Sequence, residues 1–245
     1  MTSRFSRVSL QAFVLLVLIA SLFVVIHYNS KPKVDKAGIP GLAEVVKPFT
    51  FSDKNALKEW EEKVFKGKVI YTVVEEDRGQ SYVKAESDKA ASALYYKIKL
   101  DAKTKRPAIS WKWRAEEFPS RRMKETLEAE SEDDFAARVY VIFPALFFTN
   151  SKVLEYVWAK DLPTGAAGTS PYSKNIKIMV LESGPSKDWA SEERDIYSDY
   201  VKMFGRAPEY NIGAVAFMTN SEHTQTKAKG AYDDIVLGYI EGGKP

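Results

Sequence analysis

The 245-residue chain contains no cysteine and two histidines. Without cysteine there is no disulfide, no thiol nucleophile, no thiolate metal site and no bacterial lipoprotein acylation site. His27 borders an N-terminal apolar run, so His223 is the only imidazole in the remainder. One imidazole does not make a histidine zinc site. No G-x-S-x-G elbow accompanies it, and neither common phosphate-binding glycine loop is present. Metal and cofactor are therefore expected to be none. Charge of one sign is lacking too. Setting aside Arg4 and Arg7, the 36 Lys+Arg fall to 34 against 33 Asp+Glu. Such a balance lacks the clustered basic surface that nucleic acid requires, so no nucleic-acid partner is expected.

Also missing is any charged side chain between residues 8 and 26, a run of 19 positions preceded by Arg4 and Arg7. At ~1.5 Å per residue, a helix of that length spans ~28 Å, close to the ~30 Å hydrocarbon core of a bilayer. No small-residue cleavage pattern follows in His27-Tyr28-Asn29-Ser30-Lys31-Pro32. An uncleaved signal anchor over residues 8–27 is preferred to a cleaved signal peptide. A basic N-terminus favours a cytoplasmic start for residues 1–7. The expected location is thus a bacterial inner membrane, single-pass, with the C-terminal domain in the periplasm and the lipid bilayer as a partner. Residues 28–48 read as a linker, with Lys31-Pro32-Lys33, Gly38-Ile39-Pro40-Gly41 and a closing Pro48.

Residues 49–242 carry short runs rich in β-branched and aromatic residues, bounded by Gly, Pro, Asp and Ser. They fall at 71–74, 81–85, 93–100, 108–114, 137–143, 154–158, 176–181, 213–218 and 235–237. With no alternating strand–helix rhythm, they predict a mainly β fold, an antiparallel β-sandwich of jelly-roll type. One peripheral helix is expected over 189–204, where Ile196, Tyr197, Tyr200, Val201 and Phe204 form one stripe, with Asp188 as N-cap and Gly205 beyond its end. A second, exposed helix is expected over 121–130.

Period-2 alternation sorts the candidate site residues. Trp111 and Trp113 share a face with Ile109 and read as core. Lys112 and Arg114 point the other way and become ligand candidates. In the 137–143 run, Arg138 and Tyr140 oppose Ala137, Val139, Val141 and Phe143. With Asp133 and Asp134 upstream, Arg138 reads either as a contact for a carboxylate or sugar hydroxyl or as half of an internal ion pair. Trp158, Arg194 and Asp195 complete the set. Asp195 and Asp199 are like charges one helical turn apart, so at least one is expected to have a cationic partner, with a strand-borne Arg as the guess. Asp133 and Asp134, or Asp233 and Asp234, are read as turn and strand-end carboxylates rather than calcium ligands.

Four stretches together resemble one bacterial family, domain of unknown function 3047 (DUF3047). They are Asp133-Asp134-Phe135-Ala136-Ala137-Arg138-Val139-Tyr140-Val141; Tyr156-Val157-Trp158-Ala159; Ser183-Gly184 leading to Trp189, Glu193-Arg194-Asp195, Asp199-Tyr200 and Phe204-Gly205; and Met218-Thr219-Asn220 with Thr224. The resemblance covers roughly residues 49–240 and implies no activity. Where it implies an Asp, this chain has Asn220. More loosely, Phe49-Thr50-Phe51-Ser52-Asp53 with Trp60, and Ala231-Tyr232-Asp233-Asp234-Ile235-Val236-Leu237, resemble the first and last strands of galactose-binding-like jelly rolls. Many of those are carbohydrate-binding modules.

The expectation is a membrane-tethered, non-catalytic module for saccharide or envelope glycan, contacted through Lys112, Arg114, Asp134, Arg138, Tyr140, Trp158, Arg194 and Asp195. Its rivals are a carboxylate-based hydrolase of envelope polysaccharide using Asp133, Asp134, Asp195 or Asp199, and a scaffold for another envelope protein. The sequence assigns neither a catalytic residue nor an oligomeric state.

Overall fold

The computed structural model describes residues 42–76 and 80–241. The expected anchor helix and the first part of the linker lie outside the described residues. Among the described residues, no helix is long and apolar enough to cross a membrane.

Among the described residues, thirteen strands form two sheets. They are β1 (Leu42–Phe49), β2 (Glu61–Lys66), β3 (Ile70–Glu75), β4 (Ser81–Asp88), β5 (Ala91–Leu100), β6 (Pro107–Glu117), β7 (Ala137–Phe143), β8 (Lys152–Ala159), β9 (Ala167–Thr169), β10 (Ile176–Ser183), β11 (Ala190–Asp195), β12 (Ile212–Asn220) and β13 (Lys227–Ile240). The six-stranded sheet runs β11-β6-β13-β4-β3, with β1 on β13, and the seven-stranded sheet runs β2-β5-β12-β7-β8-β10-β9. From β4 to β7, and again from β11 to β13, the chain crosses between sheets at each step, as in jelly rolls. All nine expected runs lie within strands.

The core between the sheets is aromatic. Trp60, Trp111, Trp113, Trp158, Tyr156, Phe217 and Tyr232 are buried in one cluster. Trp111 meets Trp113 edge-on, with ring centroids 5.3 Å apart, and Trp113 lies 5.8 Å from Trp158 across the two sheets. Trp158 is thus a core residue, and its indole N–H donates to the Gly184 carbonyl. Large rings supply most of the apolar area that a sandwich of this size needs.

Four expectations are corrected. First, the helix is shorter. Only α1 (Ile196–Phe204) is helical, while residues 190–195 are β11 and pair with β6. Asp195, not Asp188, caps the helix, accepting a hydrogen bond from the Ser198 N–H, and Gly205 ends it at φ +71°. Second, residues 121–130 form no helix and are not a solvated insertion. The Arg121–Glu125 pair is nearly fully buried, and the Glu125 carboxylate accepts from the backbone N–H groups of Lys160, Asp161 and Leu162. Third, residues 42–48 belong to β1 rather than to a linker. Fourth, β8 and β10 pair in parallel, so the sandwich is not purely antiparallel.

The close seating of β1 has a clear cause. A methyl group on Gly238 would collide with the Glu44 carbonyl oxygen across the β1–β13 pair. Gly238→Ala should peel β1 away or shift it, at about 1–3 kcal/mol for overpacking. Thermal melts should show the loss, and limited proteolysis should cut near residue 42 faster than in the parent chain. A variant with parental melting and cleavage would refute this reading.

Candidate functional site

The residues of the family resemblance gather at two places, one buried and one at the edge of the core. The buried one centres on Arg138. Both faces of the seven-stranded sheet are covered. Its outer face holds a second apolar cluster that includes Tyr95, Tyr140, Ala214, Ala216 and Met218. Beside that cluster, residues 118–136 lay Leu127 and Phe135 over Val157, Ile178 and Val180. Arg138 projects onto this covered face and is 2% exposed. A guanidinium there is tolerable only if its donors are matched.

They are matched. Nε donates to Glu155 Oε1 at 2.6 Å, Nη2 to Asp133 Oδ1 at 2.5 Å, and Nη1 to the Asp133 carbonyl and Asn220 Oδ1, each at 3.0 Å. The Phe135 ring lies 4.8 Å from the guanidinium carbon. Asn220 completes the junction. Its amide oxygen also accepts from the Phe135 N–H, and its nitrogen donates to the Asp133 carbonyl, Asp134 Oδ1 and Glu222 Oε2. An Asp at 220 would lose those donors and add charge beside two acids, so the departure from the resemblance is physically coherent. Asp134 Oδ2 accepts from the backbone N–H groups of His223 and Thr224, which fixes the turn after β12. Tyr172 O–H and His223 Nε2 meet at 2.6 Å at the edge of this cluster.

Too many acids share this space to be all ionised. Burial raises the Glu222 carboxyl to about 9, with neighbouring Asp134 adding to the effect. Burial likewise raises Glu155 to about 7 against the pull of Arg138. Tyr140 is buried beside the same group, its ring 5.8 Å from the Arg138 guanidinium carbon.

The second gathering lies by β11 and α1. Arg194, on β11, donates to both oxygens of Asp199, and Tyr156 O–H donates to Asp199 Oδ2 at 2.9 Å. Asp195 pairs with Arg106 and Ser198. Both acids therefore have partners, and one is the strand-borne Arg. Nearby, Trp113 Nε1 donates to Glu192 Oε1, and burial with the adjacent Glu182 raises Glu192 to about 7. Glycoside hydrolysis needs carboxyl groups ~5–10 Å apart, leaving room for water or sugar between them. The four acids of the hydrolase reading are each occupied by an ion pair or backbone hydrogen bonds.

Lys112 and Arg114 lie elsewhere, on the outer face of the six-stranded sheet. Lys112 pairs with Asp234 at 2.8 Å, with both groups well exposed. Arg114 is the organised one. Its guanidinium carbon sits 4.8 Å from the Trp189 ring and 5.4 Å from the Tyr82 ring, which meet each other edge-on at 5.3 Å. Glu116 holds Arg114 from the side at 2.7 Å, and Glu76 lies at 3.5 Å. Trp189 keeps part of its surface in solvent. An aromatic face beside a planar, fixed cation can stack on a sugar ring and hydrogen-bond its hydroxyls or a carboxylate. Tyr82, Trp189 and Glu116 were not among the sequence candidates. Tyr82 stood in an expected strand, and Trp189 was assigned to a helix.

Comparison with known proteins finds the family of unknown function DUF3047 matching residues 58–236. No curated protein matches. Solved structures with related architecture include TmCBM61 in complex with β-1,4-galactotriose, at 12% identity and TM-score 0.38, covering 75% of this chain and 90% of that one. The family 11 carbohydrate-binding module of Lic26A-Cel5E from Clostridium thermocellum gives 13%, 0.38, 74% and 88%. A cellulase derived from Cel12A of Rhodothermus marinus gives 11%, 0.40, 73% and 95%. Likeness at this level transfers no ligand and no activity.

Two outcomes test the buried cluster. Arg138→Met strands Asp133 and Glu155 without their cation and should cost about 3–5 kcal/mol. For a domain this size that lowers the melting temperature by roughly 10 °C, and an unchanged melt would contradict the assignment. Glu222 holds a proton in the folded state up to about pH 9, whereas an unfolded chain releases it near 4.5. Its contribution is therefore full below pH 4.5 and declines as the pH rises towards 9. Glu222→Gln should flatten that decline, melting like the parent at pH 5 and above it at pH 9.

Proposed function

The chain belongs to the DUF3047 family, and we propose that it is a non-catalytic binding module for a saccharide or envelope glycan, held at the periplasmic face of a bacterial inner membrane by residues 8–27. One observation carries the binding half of this reading: on the outer face of the six-stranded sheet, a partly exposed Trp189 is set against Arg114 and a buried Tyr82. The two rings are pre-ordered edge-on, and the cation is fixed by Glu116 and Glu76. Pre-ordering lowers the entropy that binding would otherwise cost. Stacking supplies affinity, and the guanidinium supplies direction for hydroxyls or a uronic-type carboxylate. Lys112 and Asp234 extend the same face with both charge signs. Arg138, Asp134 and Tyr140, on the far side of the sandwich, act as structural residues.

The tether half rests on the uncharged run behind Arg4 and Arg7 and on the missing cleavage pattern. With β1 starting at Leu42, residues 28–41 remain as the connection, with a reach of at most ~50 Å at ~3.6 Å each.

Purified full-length chain, screened against an array of bacterial envelope glycans, should retain at least one acidic or neutral saccharide. Trp189→Ala should weaken that binding at least about tenfold, as for an aromatic hot spot. Its melting temperature should stay near parental, because the ring is partly exposed. Absence of any glycan binding, or Trp189→Ala binding like the parent, would refute the proposal.

A further inference from the structure

One end of the sandwich gathers the start of β1, the turn between β5 and β6, helix α1 and the loop between β7 and β8. The contacts are continuous. Leu42 pairs with Ile240, and Tyr239 O–H accepts from the Asp101 N–H. Arg106, in the same turn, holds Asp195 and Ser198 at the start of α1. Phe204, at the helix end, lies 5.4 Å from the Lys152 ammonium at the base of the β7–β8 loop. The chain therefore enters the domain at the end where this loop sits.

That loop presents Leu146 and Phe147 at 76% and 69% exposure, the first and third most exposed of the large apolar side chains in the described residues. It is not loosely held. The Ala145 N–H donates to Ser151 Oγ, Asn150 N–H donates to the Phe147 carbonyl, and Asn175 Nδ2 donates to the Thr149 carbonyl. Polar groups fix the backbone while two apolar side chains point into water. Basic groups lie at its base. The Lys152 and Lys177 ammonium groups sit 5.4 and 5.9 Å from the Phe204 ring, and Arg206 pairs with Glu209 at 2.9 Å. Burial lowers the Lys152 pKa, and the nearby Arg206, Lys174 and Lys177 add to that. Apolar residues on a fixed tip, with cations at its base, match the requirements of an anionic bilayer surface: insertion at the headgroup boundary and attraction to lipid phosphates.

We propose that this end of the domain docks on the anionic membrane surface, with Leu146 and Phe147 inserted and Lys152, Lys174, Lys177 and Arg206 facing lipid headgroups. The proposal rests on the tether reading above, because residues 8–27 would bring this end to the bilayer. It fixes the orientation of the domain, which a tether alone leaves free.

The absence of cysteine makes the test direct. Phe147→Cys and Met123→Cys in the full chain each take a single environment-sensitive fluorophore. Met123 is equally exposed but lies in the segment after β6, which leaves the sandwich at the opposite end. The labelled chains are reconstituted into vesicles of mixed phosphatidylglycerol and phosphatidylcholine. The label at 147 should shift blue and be quenched by a lipid-borne quencher several-fold more than the label at 123. Vesicles of phosphatidylcholine alone should reduce that difference, and Leu146→Glu in the labelled chain should abolish it. Equal quenching at 147 and 123 overturns the proposal. So does shielding of 147 that tracks protein density rather than lipid, which would mark self-association. Flotation after an alkaline wash reports the tether separately: a chain that floats but leaves 147 unquenched refutes docking alone, and a chain that washes off refutes the tether.

Discussion

The Arg138 guanidinium, buried on the outer face of a sheet that is covered on both sides, is the constraint on which the architecture depends. Its cost in an apolar layer is several kcal/mol unless every donor is met. Meeting them requires Asp133, Glu155 and Asn220, which come from the chain before β7, from β8 and from the end of β12. One cation thus fixes the register of three neighbouring strands and the turn that carries Asp134, His223 and Thr224. The surplus charge is relieved at Glu222, which keeps its proton at neutral pH, while burial raises Glu155 only to about 7 because Arg138 holds it as an ion-pair partner. A saccharide site here would have to displace this network, and the covering segment with Leu127 and Phe135, before touching anything.

On the proposed reading, recognition falls to the other sheet. Its inner face supplies Trp111 and Trp113 to the core, and its outer face stays wet. Charges there form cross-strand pairs such as Lys229–Glu86 and Lys229–Glu117, worth little each. The exception is Arg114, whose neighbours are rings as well as carboxylates. Alternation along one strand, β6, thereby separates two environments: indoles inward in the core, cations outward on the other face.

The sequence reading recovered strands wherever apolar alternation marks a half-buried surface, and all nine such runs were found. It failed where other forces decide. In β11, Ala190-Ser191-Glu192-Glu193-Arg194-Asp195 has no apolar alternation. It pairs with β6 because Arg194 and Glu192 find partners in Asp199 and Trp113 across the core edge. Acids also suit the first turn of a helix, so the strand's Glu192 and Glu193 resemble a helix start that in fact comes at Asp195 and Ile196. Residues 121–130 look solvated by composition, but Arg121 and Glu125 neutralise each other, and Glu125 ties down a distant turn. The 42–48 stretch reads as linker because it ends in Pro48 and shows no apolar alternation, and even as a strand it leaves Val45 and Val46 exposed. Within the site, the opposition of Arg138 to the core face was legible. That the opposite face is also buried was not, since a covering loop leaves no periodic signal. The Tyr82–Trp189 contact was likewise invisible, being a long-range pairing fixed only once β11 joins β6.

Geometry also relates the two proposals. Arg114 lies seven residues along β6 from Pro107, so at ~3.3 Å per residue it stands about 23 Å from the end where the chain enters. A domain seated on the bilayer by Leu146 and Phe147 would hold Trp189 and Arg114 on its flank, beyond the headgroups rather than among them. The ligand sought would then be polymer alongside the membrane, not the lipid itself. A lipid-headgroup ligand would instead place the aromatic cluster and the basic groups at one end. The sheet register separates them, because β11 runs antiparallel to β6 and puts Trp189 at its far end.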